Sequence, residues 1–364
     1  MLYITYTDIF SEYMIGIRRK IMAQIRVFQK NFGDVFYTRY ARGNICLYQE
    51  DECLDHVSAW YPGEYFTEIL KWIQAYNIRQ VYIRYNPPFT MWFVDFVREL
   101  KARGITMVLE IPTYPYDGEF QDQAMLEEDQ YYRKQLKKYV PQVTTYSAYK
   151  EIYGMPVIML QNGIDPAEHT VRKKHQKLQR INLLAVAGMA RWHGYERLLE
   201  GIWSYSHDTA KNKQYAIHLY FVGVGPELYH YKQLTKEYGL QKHVTFCGKL
   251  YGKTLDDIYE KADIGIGSIG FYKIHLYHNA PIKLREYCVR GLPFLYGYED
   301  EGFTGEEIYN LRVENDASPI DMVDVIRLYE RTVGREDIIN EMREYAEKHF
   351  AWDKLLEEVI HYYG

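Results

Sequence analysis

Residues 279–297 read NAPIKLREYCVRGLPFLYG, and three features inside that stretch fix its local structure. Pro281 stands where a first helical turn accepts proline, Gly291 follows the last helical position, and Pro293 prevents the helix from continuing. A short capped helix must therefore hand over at once to the apolar run 292–296, a strand. On the helix Lys283, Glu286 and Arg290 recur three and four residues apart and share one face, while Leu284 and Cys288 point elsewhere. The spacing predicts a charged stripe beside a buried one. As an ordinary surface pair, Lys283 and Glu286 would contribute ~0.2–0.5 kcal/mol.

The alternation of helix and apolar strand extends in both directions. Upstream, 181–187 is an apolar run leading into Gly188-Met-Ala-Arg191-Trp-His193-Gly194, after which Leu198, Leu199, Ile202 and Trp203 make the buried face of a helix. Residues 216–222 lead into Gly223-Val-Gly225-Pro-Glu, 244–247 into Gly248 and Lys249, and 262–268 form a short buried strand before a loop over 269–279. Thr254 with Asp257 reads as a capping box for a helix over 255–261. Helices near 321–331, 338–349 and 352–363 finish the chain.

The first half alternates similarly, with strands expected over 2–6, 35–38, 45–48, 81–85, 106–111, 143–147 and 157–161 and helices from near Gly16, over 64–76 and over 91–103. Such alternation predicts a parallel sheet, in which ligands collect at the carboxyl ends of strands. Arg84, Tyr85 and Glu110 are thereby placed at a cleft. The loop from Glu110 to Glu119, EIPTYPYDGE, reads either as a rigid polar connector or as carboxylates and tyrosines that grip a sugar. Residues 11–30 carry Arg18, Arg19, Lys20, Arg26 and Lys30 against one acid, Glu12. That run is a solvated helix face, an anion site at the helix start near Gly16, or a contact for an anionic membrane. Residues 168–180, EHTVRKKHQKLQR, hold five basic groups and almost no apolar ones, the composition of a linker.

A chain of 364 residues exceeds what one core usually supports, so two domains are expected. A net charge of −5 argues against a general nucleic-acid binder, and any basic function must be local. Cys46, Cys53, Cys247 and Cys288 show no C-x-x-C spacing, which fits free thiols in a reducing compartment. The opening MLYITYTDIF lacks a basic leader region and no run approaches ~18 apolar residues. A cytoplasmic protein that does not span a membrane is expected. There is no D-x-D, no His/Cys/Asp/Glu grouping with ligand spacing, no G-x-S-x-G and no P-loop lysine motif, so neither a metal nor a cofactor is expected.

The ordered series N-G-I-D at 162–165, W-H-G at 192–194, G-x-G-P-E at 223–227, V-T-F-C-G at 244–248 and K-L-R-E-Y…G-L-P at 283–293 resembles family 4 glycosyltransferases of the GT-B fold. The resemblance is strong over 181–297 and loose over 1–165. It implies an α/β architecture of two Rossmann-like domains facing each other across a cleft. An acceptor-binding domain would span 1–167, a linker 168–180, a nucleotide-sugar-binding domain 181–345, and a C-terminal helix over 346–364 would cross back to the first domain. Glu286 matches the second glutamate of the family's Glu-x7-Glu motif, which accepts hydrogen bonds from the nucleotide ribose. His278 replaces the first glutamate. Where the family has a Gly-Arg turn and a Lys-Gly helix start for the donor diphosphate, His193 takes the lysine position, Gly188 the arginine position, and Arg191 stands three residues late. The expected donor site comprises Gly16, Arg191, His193, Gly194, Gly223, Gly225, Lys249, Leu250, Ile282, Lys283, Leu284 and Glu286, and the expected catalytic residues are His193 and Glu110.

The activity so implied is transfer of a sugar from a nucleotide-diphosphate donor, with retention and without metal, of the bacterial surface-glycan type. The acceptor would be a glycan, a polyprenyl-linked compound or a protein. Peripheral contact of the 16–30 helix with the inner face of an anionic membrane is a further expectation. The missing first glutamate motivates the alternative, a non-catalytic GT-B partner or acceptor-binding subunit.

Overall fold

The computed structural model describes residues 1–11, 14–173, 176–208 and 214–364, and of Ile15 and Glu119 the backbone alone. Glu12 of the basic run and Lys174 and His175 of the expected linker lie outside the described residues. The chain divides into two compact units, Met1–Gly163 with Trp352–Gly364, and Ile164–Ala351.

In the first unit β1 (Leu2–Thr5), β2 (Phe36–Ala41), β3 (Asn44–Gln49), β4 (Glu52–Ser58), β5 (Gln80–Arg84), β6 (Thr106–Glu110), β7 (Val143–Thr145), β8 (Glu151–Ile152) and β9 (Met155–Met159) form one sheet in the order β4-β3-β2-β1-β5-β6-β7-β9-β8. Helices α1 (Ile15–Phe32), α2 (Pro62–Ala75), α3 (Met91–Ala102) and α4 (Gln123–Arg133) belong to it, with the terminal helices Trp352–Leu355 and Glu357–Tyr363. Successive strand residues face opposite sides. Leu2 and Ile4 therefore join the α2 and α3 core, whereas Tyr3 packs with α1 and the terminal helices. Burial on both faces explains why these strands read as continuous apolar runs.

Both edges depart from the expected parallel sheet, one of them through the short antiparallel pair of β8 and β9. Strands β2, β3 and β4 are antiparallel, joined first by the two-residue turn Arg42-Gly43. A parallel crossover needs about a dozen residues, more than this connection provides. Strand β4 went unanticipated because most of its residues are exposed, so it carries no apolar period.

The second unit is a six-stranded sheet, parallel throughout, of β10 (Arg180–Val186), β11 (Ala216–Val222), β12 (Val244–Phe246), β13 (Ile264–Ile266), β14 (Phe294–Tyr296) and β15 (Asn310–Arg312), ordered β12-β11-β10-β13-β14-β15. Its helices are α5 (Glu196–His207), α6 (Leu228–Glu237), α7 (Gly252–Lys261), α8 (Ile282–Val289), α9 (Met322–Thr332) and α10 (Glu336–His349). Trp203, expected on the buried face of α5, is 39% exposed and stacks on Tyr238. The expected capping box is absent: α7 begins earlier, after Tyr251, and the Thr254 hydroxyl donates back to the Tyr251 carbonyl.

The expected linker is bound to the second unit where it is described. The Arg172 backbone N–H donates to the Arg290 carbonyl, its guanidinium reaches the Asp263 carbonyl, and the Lys173 N–H donates to Glu260. Charge in that segment signalled buried pairing as well as solvation.

Each sheet adds strands in opposite directions from its first member. Strands β2 and β5 flank β1, and β11 and β13 flank β10. At such a switch the connections leave on opposite faces and a crevice opens at the carboxyl ends of the strands.

Candidate active site

In the second unit the crevice lies between the chain leaving β10 and the chain leaving β13. From β10 the backbone runs through a 3₁₀ turn, Arg191–His193, to Gly194 and then α5. Gly194 has φ +66°, and a Cβ there would lie 2.6 Å from the Gly270 Cα. The Ile269 N–H donates to the His193 carbonyl at 2.9 Å. Only glycine admits this contact, so the start of α5 is locked to the loop after β13.

His193 is buried against this lock. Its Nδ1 lies 2.9 Å from the Ala190 amide nitrogen and 3.2 Å from the Ala190 carbonyl. An amide N–H can only donate, and the shorter contact makes Nδ1 the acceptor, leaving the ring proton on Nε2. Burial, then the charge of Lys283, pushes His193 down to about 3. The residue is thus a neutral imidazole with one N–H to offer.

The helix α8 brings the second donor. Pro281 is the residue before the first turn, with φ −66° and ψ 143°, one position earlier than its expected place inside the turn. Lys283, in that turn, donates to the Tyr195 hydroxyl at 3.1 Å, and the Tyr195 ring stacks on His193 with centroids 5.4 Å apart. Burial holds the Lys283 ammonium down to about 7, a shift that Glu286 opposes from the same helix. Glu286 is half-buried. His193, Gly194 and Lys283 are therefore brought together around Tyr195, with Glu286 one turn along α8 from Lys283.

The predicted charged stripe on α8 is only partly real. Arg290 is buried, bonded to Asp256 at 2.8 Å and Thr170 at 3.0 Å. Arg285, within the same run, is fully buried and bidentate to Asp300. Both arginines hold the fold. Leu284 gives its side chain to the core, while Ile282 is exposed.

Gly223 and Gly225 serve close approach of backbone to backbone. A Cβ on Gly223 would stand 2.0 Å from the Ala187 carbonyl oxygen, and one on Gly225 2.0 Å from that of Gly188. The Gly223 N–H donates to the Gly248 carbonyl, which sets the adjoining Lys249, exposed, and Leu250, half-buried, beside the same strand ends. Arg191 is exposed on the 3₁₀ turn.

Two supports escaped the sequence. Arg197, 2% exposed, donates to the carbonyls of Ile269 and Ser318, and Lys273 pairs with Glu196. They tie the loop after β13 to α5. An arginine and a glutamate in an α5 turn read as surface residues because their partners lie far off in sequence.

Two expected site residues belong to the first unit. Gly16 is in the first unit, exposed at the start of α1. Glu110, expected to touch acceptor or sugar, has no exposed surface. It is ion-paired to Arg84 and accepts from Tyr82 at 2.6 Å, Tyr146 at 3.0 Å and Gln24 at 3.3 Å. A carboxylate so enclosed is a structural anchor. His278 is exposed and lies 3.1 Å from Glu299. Among the described residues no three potential metal ligands cluster.

Residues 168–300 match the family described as glycosyl transferases group 1. No curated protein sequence matches the chain. Among solved structures, sucrose-phosphate synthase from Thermosynechococcus elongatus is similar at a TM-score of 0.61 and 13% identity, over 100% of this chain and 97% of its own. The trehalose-6-phosphate synthase OtsA is similar at 0.61 and 10%, over 99% and 98%. AviGT4, a glycosyltransferase involved in avilamycin A biosynthesis, is similar at 0.56 and 12%, over 100% and 96%. At these identities the likeness speaks for the fold, and the family match over 168–300 covers the very strands and turns that carry His193, Lys283 and Glu286. The chain is a glycosyltransferase of the GT-B fold.

Proposed function

We infer that the chain transfers a sugar from a nucleotide-diphosphate donor, held by the second unit, to a glycan, lipid-linked or protein acceptor, with retention and without a metal ion. The observation that carries this reading is the pairing of a neutral His193 N–H with the Lys283 ammonium through Tyr195, with Glu286 on the same helix as Lys283. As the bond between the anomeric carbon and the diphosphate breaks, negative charge grows on the departing oxygen. Donors already fixed in place, and partly withdrawn from water, stabilise that charge without reorganising. Glu286 accepts from the ribose hydroxyls. The acceptor hydroxyl attacks the anomeric carbon on the face the diphosphate leaves, and its proton passes to the leaving phosphate oxygen.

The anomeric configuration of the product tests the stereochemistry. Nuclear magnetic resonance should find the donor's configuration retained, and an inverted product overturns the mechanism.

A cytoplasmic location with peripheral contact to an anionic membrane is the accompanying reading, supported by exposed Ile17, Arg18 and Arg19. Its charge is smaller than the sequence counted, since Lys20 turns inward and Lys30 pairs with Asp353 at 2.6 Å. Co-sedimentation with anionic liposomes should fall on Arg18→Glu with Arg19→Glu, and unchanged binding removes this contact.

A further inference from the structure

The crevice of the first unit is an open cavity of about 750 Å³. It sits at the carboxyl ends of β1, β5 and β6, lined by Thr7 after β1, by Arg84 and the Pro87-Pro88 pair from β5 onward, and by Tyr116, Phe120 and Met125 beyond β6. Lys20 enters from α1. Its ammonium lies 3.1 Å from the centre of the Tyr146 ring and donates to Asn162 at 3.1 Å. Among the described residues no carboxylate pairs with Lys20.

The charge balance favours an anion. Arg84 is 8% exposed and already matched by Glu110. Among the described residues the acid lining the cavity, Asp122, is exposed and accepts the first amides of α4. Around Lys20 the charged and titratable groups are Arg84 from β5, Tyr146 after β7 and, beyond the Tyr146 hydroxyl, Glu110 from β6; the Trp352 ring lies 5.8 Å away. Among the described residues one cation, the half-buried Lys20, is left over. An unpaired ammonium in such surroundings is costly, and a tyrosine face offsets only part of that cost.

We propose that this cavity takes the acceptor by an anionic group, a phosphate or carboxylate, seated against Lys20 and Arg84, with an apolar or aromatic remainder lying on Pro87, Pro88, Tyr116, Phe120 and Met125. The assignment of the ligand as acceptor rests on the glycosyl-transfer reading; the anion site does not. Burial and the Arg84 charge hold Lys20 well below the usual lysine range, so a bound anion draws a proton onto it.

Calorimetric titration of phenyl phosphate into the whole chain at pH 8, in two buffers of different protonation enthalpy, reads both affinity and proton uptake. Binding with net uptake is expected, and phenyl glucoside, which is uncharged, should bind far more weakly. Lys20→Met should weaken phenyl phosphate by roughly ten- to a hundredfold, the loss of a hydrogen bond to a charged group. Lys20→Arg should keep the affinity and lose the uptake, which separates a charge effect from misfolding. Geranyl phosphate as a further probe distinguishes a lipid-linked source of the anion from a soluble one, since tighter binding than phenyl phosphate marks the former. Equal affinity for phenyl glucoside, or phosphate binding unchanged in Lys20→Met, overturns the proposal. Nucleotide-sugar binding measured on the same variants should stay at wild-type strength; no binding by the wild type itself would instead count against the donor reading.

Discussion

Both sheets open a crevice where strand addition reverses, yet the two are furnished differently. In the second unit the crevice is closed by backbone: Gly194 meets Gly270, and Gly223 and Gly225 meet the chain leaving β10. In the first unit side chains stand apart around an open cavity. Each crevice nevertheless contains a lysine lying against a tyrosine, Lys283 donating to the Tyr195 hydroxyl and Lys20 over the Tyr146 ring. Both lysines are pushed down by burial. A tyrosine satisfies the amine geometrically without bringing a countercharge, and Glu286 offsets Lys283 only in part, so an incoming anion still gains what a paired carboxylate would have taken. The crevices differ in rigidity and agree in charge.

The sharpest way to break the comparison concerns the carboxylates. Glu110 is enclosed and paired, whereas Glu286 is half-buried beside Lys283. Glu110→Ala leaves Arg84 without its partner in a buried site and should cost roughly 3–5 kcal/mol of stability. Denaturant unfolding measures this, and an unchanged midpoint would return Glu110 to a substrate-contacting role. Lys283→Met should leave the fold intact and lower turnover about 10²–10³-fold, the usual effect of removing one preorganised donor. Turnover at the wild-type rate would exclude Lys283 from the chemistry. Glu286→Ala should weaken nucleotide binding by about 1.5–3 kcal/mol, the worth of a hydrogen bond to a charged group. The smallest effect is expected from EDTA: activity should persist, and loss restored by magnesium or manganese would contradict metal-free transfer.

Much of this contrast could be read before any coordinates. Alternating helices and apolar strands carried the two-sheet α/β architecture because both faces of each sheet are covered, which writes burial into uninterrupted runs such as 181–187. The exposed edge strand β4 left no such trace. Strand ends marked Arg84 and Glu110 as lying at a carboxyl edge, but not that Tyr82, Tyr146 and Gln24, from three other places in the chain, would enclose the carboxylate. Local spacing puts Arg290 on a charged stripe with Lys283 and gives Arg285 no role. The partners of the two arginines, Asp300 and Asp256, lie fifteen or more residues away, and long-range pairing is what local spacing cannot report. The His193 tautomer depends on one backbone amide and was likewise illegible.

In the proposed mechanism Lys283 is the cation that meets the donor diphosphate, and its titration gives the most direct test. In the free protein burial sets Lys283 near a pKa of about 7. A bound diphosphate favours the ammonium and raises that value, so affinity is full below the free pKa and falls as pH rises through it. His193, already neutral across this range, contributes no slope. Calorimetric titration of the preferred nucleotide sugar, whose diphosphate does not itself titrate here, should show affinity dropping about tenfold between about pH 6 and 8. In Lys283→Met binding should be weaker throughout and independent of pH. A wild-type affinity that stays flat over this range, or a Lys283→Met variant that binds as tightly with the same slope, would contradict the central claim.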